Sequence, residues 1–218
     1  MPRRSPAPSS EDAQLRASIT AAGLRLWNIG LIVATEGNLS VRLDAERLLI
    51  TPATRRKWEL GADDLVVVSA APDAPAGGAS SDVRIHRAIY AARPDVTAVA
   101  HAHLPSSMGL TLAGEIPDPA ALPETSLFLG RLPFLAFGEP GSADLAGRVA
   151  AAFAEGGSKL PVAVLLERHG AVAVGAEVGI GAVAQAVDRL ELVEVLCRTW
   201  RDALLIRASR TTVASGDA

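Results

Sequence analysis

The chain has 218 residues, of which 49% are hydrophobic and 21% are charged, and its formal net charge is −3. This composition is typical of one sizeable soluble domain, and the weak negative charge offers no electrostatic surface for nucleic acid or for an anionic membrane. The single cysteine, Cys197, excludes an intramolecular disulfide and favours a reducing cytoplasm, where we expect an inert core thiol.

The first part of the chain predicts one helix followed by short strands. Residues 1–8 lack the apolar segment of a secretory signal and are expected to form a disordered lead-in to a single domain over 9–208. Apolar residues then recur at helical spacing as far as Gly30, which can end that helix. Alternating or β-branched runs predict three strands, over 38–43, 48–51 and 65–69.

The rest of the chain alternates between helical and strand-like segments. A loop rich in proline and glycine precedes a predicted helix over 83–93, and shorter helices are predicted after Pro105 and Ser142. A long helix is expected from about Val178 to Ala208, before a frayed tail over 209–218, and 118–130 gives no clear pattern. The remaining predicted strands cover 96–103, 132–136, 162–166 and 171–174. Together these elements predict an α/β fold in which helices cover a mixed sheet.

Three of the four histidines stand at the ends of apolar, strand-like runs. His101 and His103 are two residues apart, so in an extended strand they point to the same side with Cα atoms roughly 6 to 7 Å apart. His169 follows another apolar run. Three neutral imidazoles with one open position are the usual arrangement of a catalytic zinc site. Surface histidines at strand ends would show the same spacing, so the spacing alone leaves both interpretations open.

A carboxylate and a further histidine begin the predicted helix over 83–93. Asp82 lies in its first turn, where it either stabilises the helix dipole by a few tenths to about 1 kcal/mol or acts as a general base beside a metal. His86 lies one turn later on the same face. We interpret His86 as a structural histidine or a residue that supports a ligand, not as a ligand itself.

Two polar segments are candidates for binding an anion. Gly37 and Asn38 stand at the start of a strand, where backbone N–H groups and the amide could receive an anion, or where they form a plain turn. Ser80 and Ser81 precede a helix, where phosphate is attracted and where ordinary capping is equally compatible. Lys57 could contact a phosphate or simply be solvated.

These pieces occur in an order that resembles the class II aldolase/adducin family over roughly residues 15–200. The resemblance rests on five segments that match successive blocks of the family: Gly37-Asn38-Leu39-Ser40, Ile50-Thr51-Pro52, Ser80-Ser81-Asp82, His101-Ala102-His103 and Arg168-His169-Gly170. It implies a three-layer α/β/α sandwich around a mostly antiparallel mixed sheet. It also implies homo-oligomers, usually tetramers, with active sites between subunits.

The resemblance also assigns roles to residues. His101, His103 and His169 would hold zinc, although Mn²⁺, Fe²⁺ or Co²⁺ suits the same ligands. Asp82 would stand at the position of the catalytic glutamate. The substrate phosphate would be held by Gly37, Asn38, Thr51, Thr54, Ser80 and Ser81. The implied activity is that of a lyase that cleaves a carbon–carbon bond of a hydroxy-keto sugar or sugar phosphate through a zinc-stabilised enediolate.

Three departures from the family pattern bear on the reaction. Asp82 is one methylene shorter than the family glutamate, and Ala53-Thr54 replaces a Ser-Gly pair in the phosphate loop. The aldolase also uses a tyrosine beyond its His-x-His segment as a proton donor, whereas Tyr90 is the only tyrosine here and precedes it. The alternatives are therefore a same-family epimerase, dehydratase or decarboxylase, or a non-catalytic interaction module like adducin.

Overall fold

Seven strands form one mixed sheet in the computed structural model, which describes residues 10–157 and 159–216. They are β1 (Asn38–Arg42), β2 (Arg47–Ile50), β3 (Val66–Ser69), β4 (Ala98–Ala102), β5 (Phe134–Leu135), β6 (Ala163–Leu166) and β7 (Gly170–Gly175). Their order is β3-β2-β1-β4-β7-β6-β5, and neighbours are antiparallel except for the parallel pair of β5 and β6. The predicted mostly antiparallel mixed sheet is confirmed, and β4 lies at its centre.

Six helices in the described residues surround this sheet. They are α1 (Ser10–Asn28), α2 (Val83–Ala92), α3 (Pro105–Leu112), α4 (Pro123–Phe128), α5 (Ala143–Ala154) and α6 (Gly181–Gly216). The predicted cap of α5 is present, because the Ser142 hydroxyl accepts a hydrogen bond from the Leu145 backbone N–H at 3.1 Å. Residues 118–130, which gave no clear pattern, contain α4 and one short 3₁₀ turn.

The helices lie in two layers because each face of the sheet is apolar. One face carries alanines at alternate positions, such as Ala98, Ala100 and Ala102, and it packs against α1, α3 and α6. The opposite face carries larger valines and packs against α2 and α5. Small side chains on one face allow the long helix α6 to approach the sheet closely. The α/β/α sandwich is therefore confirmed.

The same alternation decides which way the first histidine points. His101 has the parity of Val99, so its ring leaves the sheet on the side covered by α2. Asn38 is the cross-strand partner of His101, and Ser40 is the partner of Val99, so both polar side chains face the same layer. The sheet register therefore places three polar side chains, Asn38, Ser40 and His101, on the face of the sheet that α2 covers.

The end of α6 differs from the sequence prediction. The helix continues to Gly216, past the predicted end at Ala208, so the expected frayed tail is helical to that point. No proline or internal glycine interrupts the chain between Gly181 and Gly216, and nothing local stops the helix earlier. The predicted lead-in over 1–8 lies outside the described residues. Within the described part of the chain, no helix is both long and apolar enough to cross a membrane.

Candidate active site

The three predicted histidines converge at one end of the central strands. In the antiparallel pairing of β4 with β7, Ala102 lies opposite Ala171, so the chain just after β4 runs beside the chain just before β7. The ring centroids of His101 and His103 are 5.0 Å apart, and each lies 4.7 Å from the ring of His169. One nitrogen from each ring can be chosen so that the three atoms lie within 4.8 Å of one another. The sequence prediction that these residues come together is confirmed.

A glycine makes this convergence possible. Gly170 has a φ of +80°, and a Cβ built on it would overlap the carbonyl oxygen of Ala102. Only glycine therefore allows the turn that carries His169 to approach the end of β4 so closely. Arg168, two residues before Gly170, is also in the left-handed region, at φ +58°, and its N–H donates to the Thr111 hydroxyl at 3.0 Å.

The cluster presents nitrogen atoms that have no other partner. His101 Nδ1 lies 3.0 Å from the Ala171 carbonyl, an arrangement in which that nitrogen carries the proton and Nε2 keeps its lone pair. Among the described residues, neither His101 Nε2 nor His169 Nδ1 has a hydrogen-bond partner, and both atoms are buried. Buried polar atoms are normally satisfied, so these fit a ligand that the protein binds.

The protonation state suits a metal. Burial lowers the pKa of His101 to about 3, although Asp82 opposes this, and burial also lowers the pKa of His169. Both rings are therefore neutral near pH 7, which is the form that binds a cation. Three imidazoles around one point fit a divalent ion with an open coordination position, as the donor set predicts.

Asp82 stands beside the histidines. Its carboxylate is buried, Oδ2 accepts a hydrogen bond from Asn38 Nδ2 at 2.9 Å, and Oδ2 lies 3.8 Å from His101 Nε2. Burial raises its pKa, but electrostatic interaction with the imidazoles of His101 and His169, together with the hydrogen bond from Asn38, lowers it by more, so the pKa of Asp82 lies below its usual value. The side chain makes no capping bond to α2 within the described structure. Asp82 is therefore turned toward the site and does not cap the helix.

The fourth histidine lies behind this carboxylate. His86 is completely buried, with Nε2 2.5 Å from Asn38 Oδ1 and Nδ1 2.6 Å from the Ser40 hydroxyl. Burial lowers its pKa to about 4. The Tyr90 hydroxyl lies 2.8 Å from Ser40 Oγ, and burial raises the pKa of that phenol. The interpretation of His86 as a supporting histidine agrees with these contacts.

Comparison with known protein families identifies the family of this chain. The profile of the class II aldolase and adducin N-terminal domain matches residues 17–201. The chain belongs to the class II aldolase and adducin family. The resemblance inferred from the ordered motifs is thus confirmed.

Three relatives of this class II aldolase family member have specific names. The 3-oxo-tetronate 4-phosphate decarboxylase of Cupriavidus necator is 32% identical over 200 residues, covering 88% of each chain. A 5-methylthioribulose-1-phosphate/5-deoxyribulose-1-phosphate aldolase of Rhodospirillum rubrum is 35% identical over 193 residues, covering 86% of this chain and 80% of the relative. The structure of L-fuculose-1-phosphate aldolase from Thermus thermophilus superposes with a TM-score of 0.79 at 30% identity, covering 90% of this chain and 97% of that one.

The predicted phosphate-binding residues differ in whether their polar groups are free to contact a ligand. Gly37 has a φ of +69°, and a Cβ on it would lie 2.9 Å from the His101 carbonyl oxygen. The Thr51 hydroxyl accepts from the Leu39 N–H at 3.2 Å, and the Thr51 carbonyl accepts from the Ser80 N–H at the same distance. Both of these contacts are buried. Binding of a phosphate by Gly37, Thr51 or Ser80 stays a prediction.

The more exposed candidates are Ser81 and Thr54. Thr54 has a φ of +54°, in the left-handed region that a β-branched residue rarely adopts. This is the position where the family pattern has glycine, a residue that adopts such a conformation readily. Asn38 uses both ends of its side-chain amide, one on Asp82 and one on His86.

Lys57 fits neither of the roles that the sequence left open. It is 2% exposed, and its ammonium group donates to the carbonyls of Thr35 at 2.7 Å and Arg55 at 2.9 Å. Burial lowers its pKa to about 8, although Asp82 opposes this. Lys57 therefore fixes the loop that leads to Gly37.

Sequence reasoning missed one residue of the site. The carboxylate of Glu36 has its Oε1 3.5 Å from His103 Nδ1. Its place immediately before Gly37-Asn38 was the only available signal, because a carboxylate there contradicts a purely anion-binding loop. Carboxylates that contact metal-binding histidines commonly fix the ring's orientation.

Proposed function

We propose that this chain is a divalent-metal-dependent lyase that cleaves a carbon–carbon bond of a hydroxy-keto sugar or sugar phosphate. The observation that carries the proposal is the convergence of three buried histidines beside the carboxylate of Asp82. The names of the three relatives support it, since each specifies a phosphorylated substrate and an aldolase or decarboxylase activity.

We further propose that His101, His103 and His169 hold zinc, with Mn²⁺, Fe²⁺ or Co²⁺ as alternatives that the same ligands accept. The unpartnered nitrogens of His101 and His169 support this assignment. When bound, the ion supplies Lewis-acid stabilisation for the negative charge of the enediolate that bond cleavage leaves.

The residues of the chain handle binding and the proton. In the cleavage direction, the Asp82 carboxylate accepts the proton of the substrate hydroxyl whose carbon becomes a carbonyl group. The electron pair of the broken bond stays on the ketone fragment, and that fragment later takes back one proton. Gly37, Thr51, Ser80 and Ser81 face the substrate phosphate in this proposal, with Asn38 and Thr54 at the edge of the same pocket.

Decarboxylation of a 3-oxo sugar-acid phosphate is the second candidate, and one observation favours it. The only tyrosine, Tyr90, is buried and hydrogen-bonded to Ser40, so it does not serve as the family's proton donor. Loss of carbon dioxide leaves an enediolate of the same kind without any hydroxyl proton being removed first. Decarboxylation therefore does not need the acid that donates this hydroxyl proton in the aldol-forming direction, although the enediolate must still be protonated.

A metal analysis followed by a substrate screen tests the proposal. Purified protein should contain about one divalent ion per chain and should turn over an aldol-type sugar phosphate or a 3-oxo sugar-acid phosphate. Asp82→Asn should reduce turnover by at least about 100-fold with the ion retained. Cys197→Ala is the matched control, because Cys197 is buried in α6 away from the site. Absence of a stoichiometric ion would favour the adducin-like module and overturn the proposal.

We also propose that the chain forms a homo-oligomer, with a tetramer as the expected state. Large apolar side chains are exposed on α3 and α4, namely Leu112, Leu127 and Phe128. Light scattering coupled to size-exclusion chromatography measures the assembly directly, and a monomer at micromolar concentration would contradict it. The cytoplasmic location remains a prediction from composition.

A further inference from the structure

A continuous chain of buried polar side chains runs from the interior of α2 to Asp82. Tyr90 meets Ser40 at 2.8 Å, and Ser40 meets His86 Nδ1 at 2.6 Å. His86 Nε2 then meets Asn38 Oδ1 at 2.5 Å, and Asn38 Nδ2 reaches Asp82 Oδ2 at 2.9 Å. None of the four supporting residues is more than 3% exposed. Such a chain is costly to bury unless every member is satisfied.

The chemistry of each group fixes the direction of donation. A carboxylate only accepts, so the NH₂ group of Asn38 faces Asp82 and its oxygen faces His86. An amide oxygen also only accepts, so the proton of the neutral His86 ring must be on Nε2. Nδ1 then accepts from the Ser40 hydroxyl, whose oxygen is left to accept from Tyr90. Every donor in this series of hydrogen bonds points toward Asp82.

The two oxygens of Asp82 are consequently unequal. Oδ2 is held by Asn38, whereas Oδ1 is buried and has no hydrogen-bond partner in the described part of the chain. This series of hydrogen bonds cannot carry a proton to or from Asp82, because the Asn38 amide keeps its two hydrogens at ordinary pH. Its effect is therefore to fix the rotation of the carboxylate and to leave Oδ1 as the free oxygen.

We propose that His86, acting through Asn38, is a positioning residue that orients the Asp82 carboxylate so that Oδ1 receives the substrate's proton. Ser40 and Tyr90 hold His86 in the tautomer that this requires. The inference rests on the proposed function of Asp82 as the base. It also gives Asn38 a task other than the binding of phosphate, because its oxygen faces His86 and one of its two amide hydrogens faces Asp82.

A pair of substitutions tests the proposal by activity. His86→Leu removes both hydrogen bonds and should lower kcat by about 100-fold, with KM and metal content close to those of the parent protein. His86→Gln keeps a side-chain N–H that can donate to Asn38 and should recover most of that loss. Ile89→Val removes a methylene from an equally buried residue of α2 and controls for general loss of stability. An equal kcat in His86→Leu and the parent would overturn the proposal.

Two readouts are independent of turnover, so they distinguish this inference from the proposed function. Nitrogen-15 NMR of the ring at pH 7 should show a neutral His86 with its proton on Nε2. A crystal structure of His86→Leu should show the Asp82 carboxylate rotated away from Asn38. A proton on Nδ1, or an unmoved carboxylate, would overturn the inference. If both readouts agree but no substrate is turned over, the proposed function fails, and with it the role of Oδ1 as proton acceptor, whereas the orientation of the Asp82 carboxylate by His86 stands.

Discussion

At the scale of single residues, one backbone conformation carries a cost that a substitution can reveal. Thr54 is exposed and sits at φ +54°, where a β-branched side chain is strained by roughly 1–3 kcal/mol. Thr54→Gly removes that strain but adds the backbone entropy of glycine, worth about 0.5–1 kcal/mol. We expect the free energy of unfolding to rise by about 1 kcal/mol, measured by urea denaturation.

The control for this substitution is Thr54→Ala, which keeps a Cβ and should leave most of the strain in place. A lower urea midpoint for Thr54→Gly than for the parent protein would show that Thr54 makes a stabilising contact. In that case the threonine side chain itself would support the left-handed backbone at this position.

His86 makes the stability of the metal-free protein depend on pH. Burial lowers its folded-state pKa to about 4, whereas the unfolded chain takes up the proton near 6.5. The unfolded state therefore binds more protons between these values, and the free energy of unfolding falls as the pH drops from 6.5 to 4. The contribution of His86 to that fall is roughly 3 kcal/mol.

Urea denaturation with EDTA at pH 7 and at pH 4 measures this dependence. The His86→Gln variant has no titrating group at this position, so its stability should fall by less over the same interval. Equal falls in the two proteins would mean that His86 is already protonated in the folded state, or that it is exposed there.

At the scale of secondary-structure elements, the approach of β7 to β4 depends on one glycine. Gly170→Ala would place a Cβ against the Ala102 carbonyl in a left-handed conformation, so the end of β7 must move away from β4. We expect a loss of more than about 3 kcal/mol in the free energy of unfolding, together with weaker metal binding. Equilibrium unfolding and metal titration measure the two effects.

Gly147→Ala is the matched control for that substitution. Gly147 lies in the interior of α5, is exposed, and has open space around a built Cβ. Alanine there should stabilise the helix by up to about 1 kcal/mol, since glycine is a poor helix former. A Gly170→Ala protein as stable as the parent would show that the two strand ends tolerate separation.

Element type was largely predictable from the sequence, whereas contacts across elements were not. The alternation of residues 38–43 and the apolar runs before His101 and His169 identify strands because period and residue type agree there. β5 shrinks from the predicted 132–136 to Phe134–Leu135, since an edge strand pairs on one side only. The bond between Asn38 and His86 joins residues 48 positions apart, and only the packing of α2 across β1 brings them together.

The same distinction applies to the site: the identity of its main residues was predictable from the sequence, and their contacts with other elements were not. The ordered motifs predicted which residues converge, because family order constrains the three histidines and Asp82 together. No local sequence pattern could show that Lys57 donates hydrogen bonds to two backbone carbonyls or that Glu36 approaches His103. Both contacts depend on how the loop after α1 folds back over the ends of β1 and β4.

At the scale of the whole molecule, a bound ion should link the ends of the central strands and raise the free energy of unfolding. The three histidines belong to the ends of β4 and β7, which both helical layers cover, so an ion held there is bound by the folded state alone. An ion at about 1,000 times its dissociation constant would add about 4 kcal/mol to the free energy of unfolding. For a chain of this size that corresponds to a rise in Tm of about 10 °C.

Differential scanning calorimetry with added zinc and with EDTA measures this rise. His103→Ala should abolish it, because His103 is half-buried and its loss removes one of the three proposed ligands without opening a large cavity. The same Tm with and without the ion in the parent protein would mean that the converging rings do not form a metal site. A rise that persists in His103→Ala would place the ion elsewhere on the molecule.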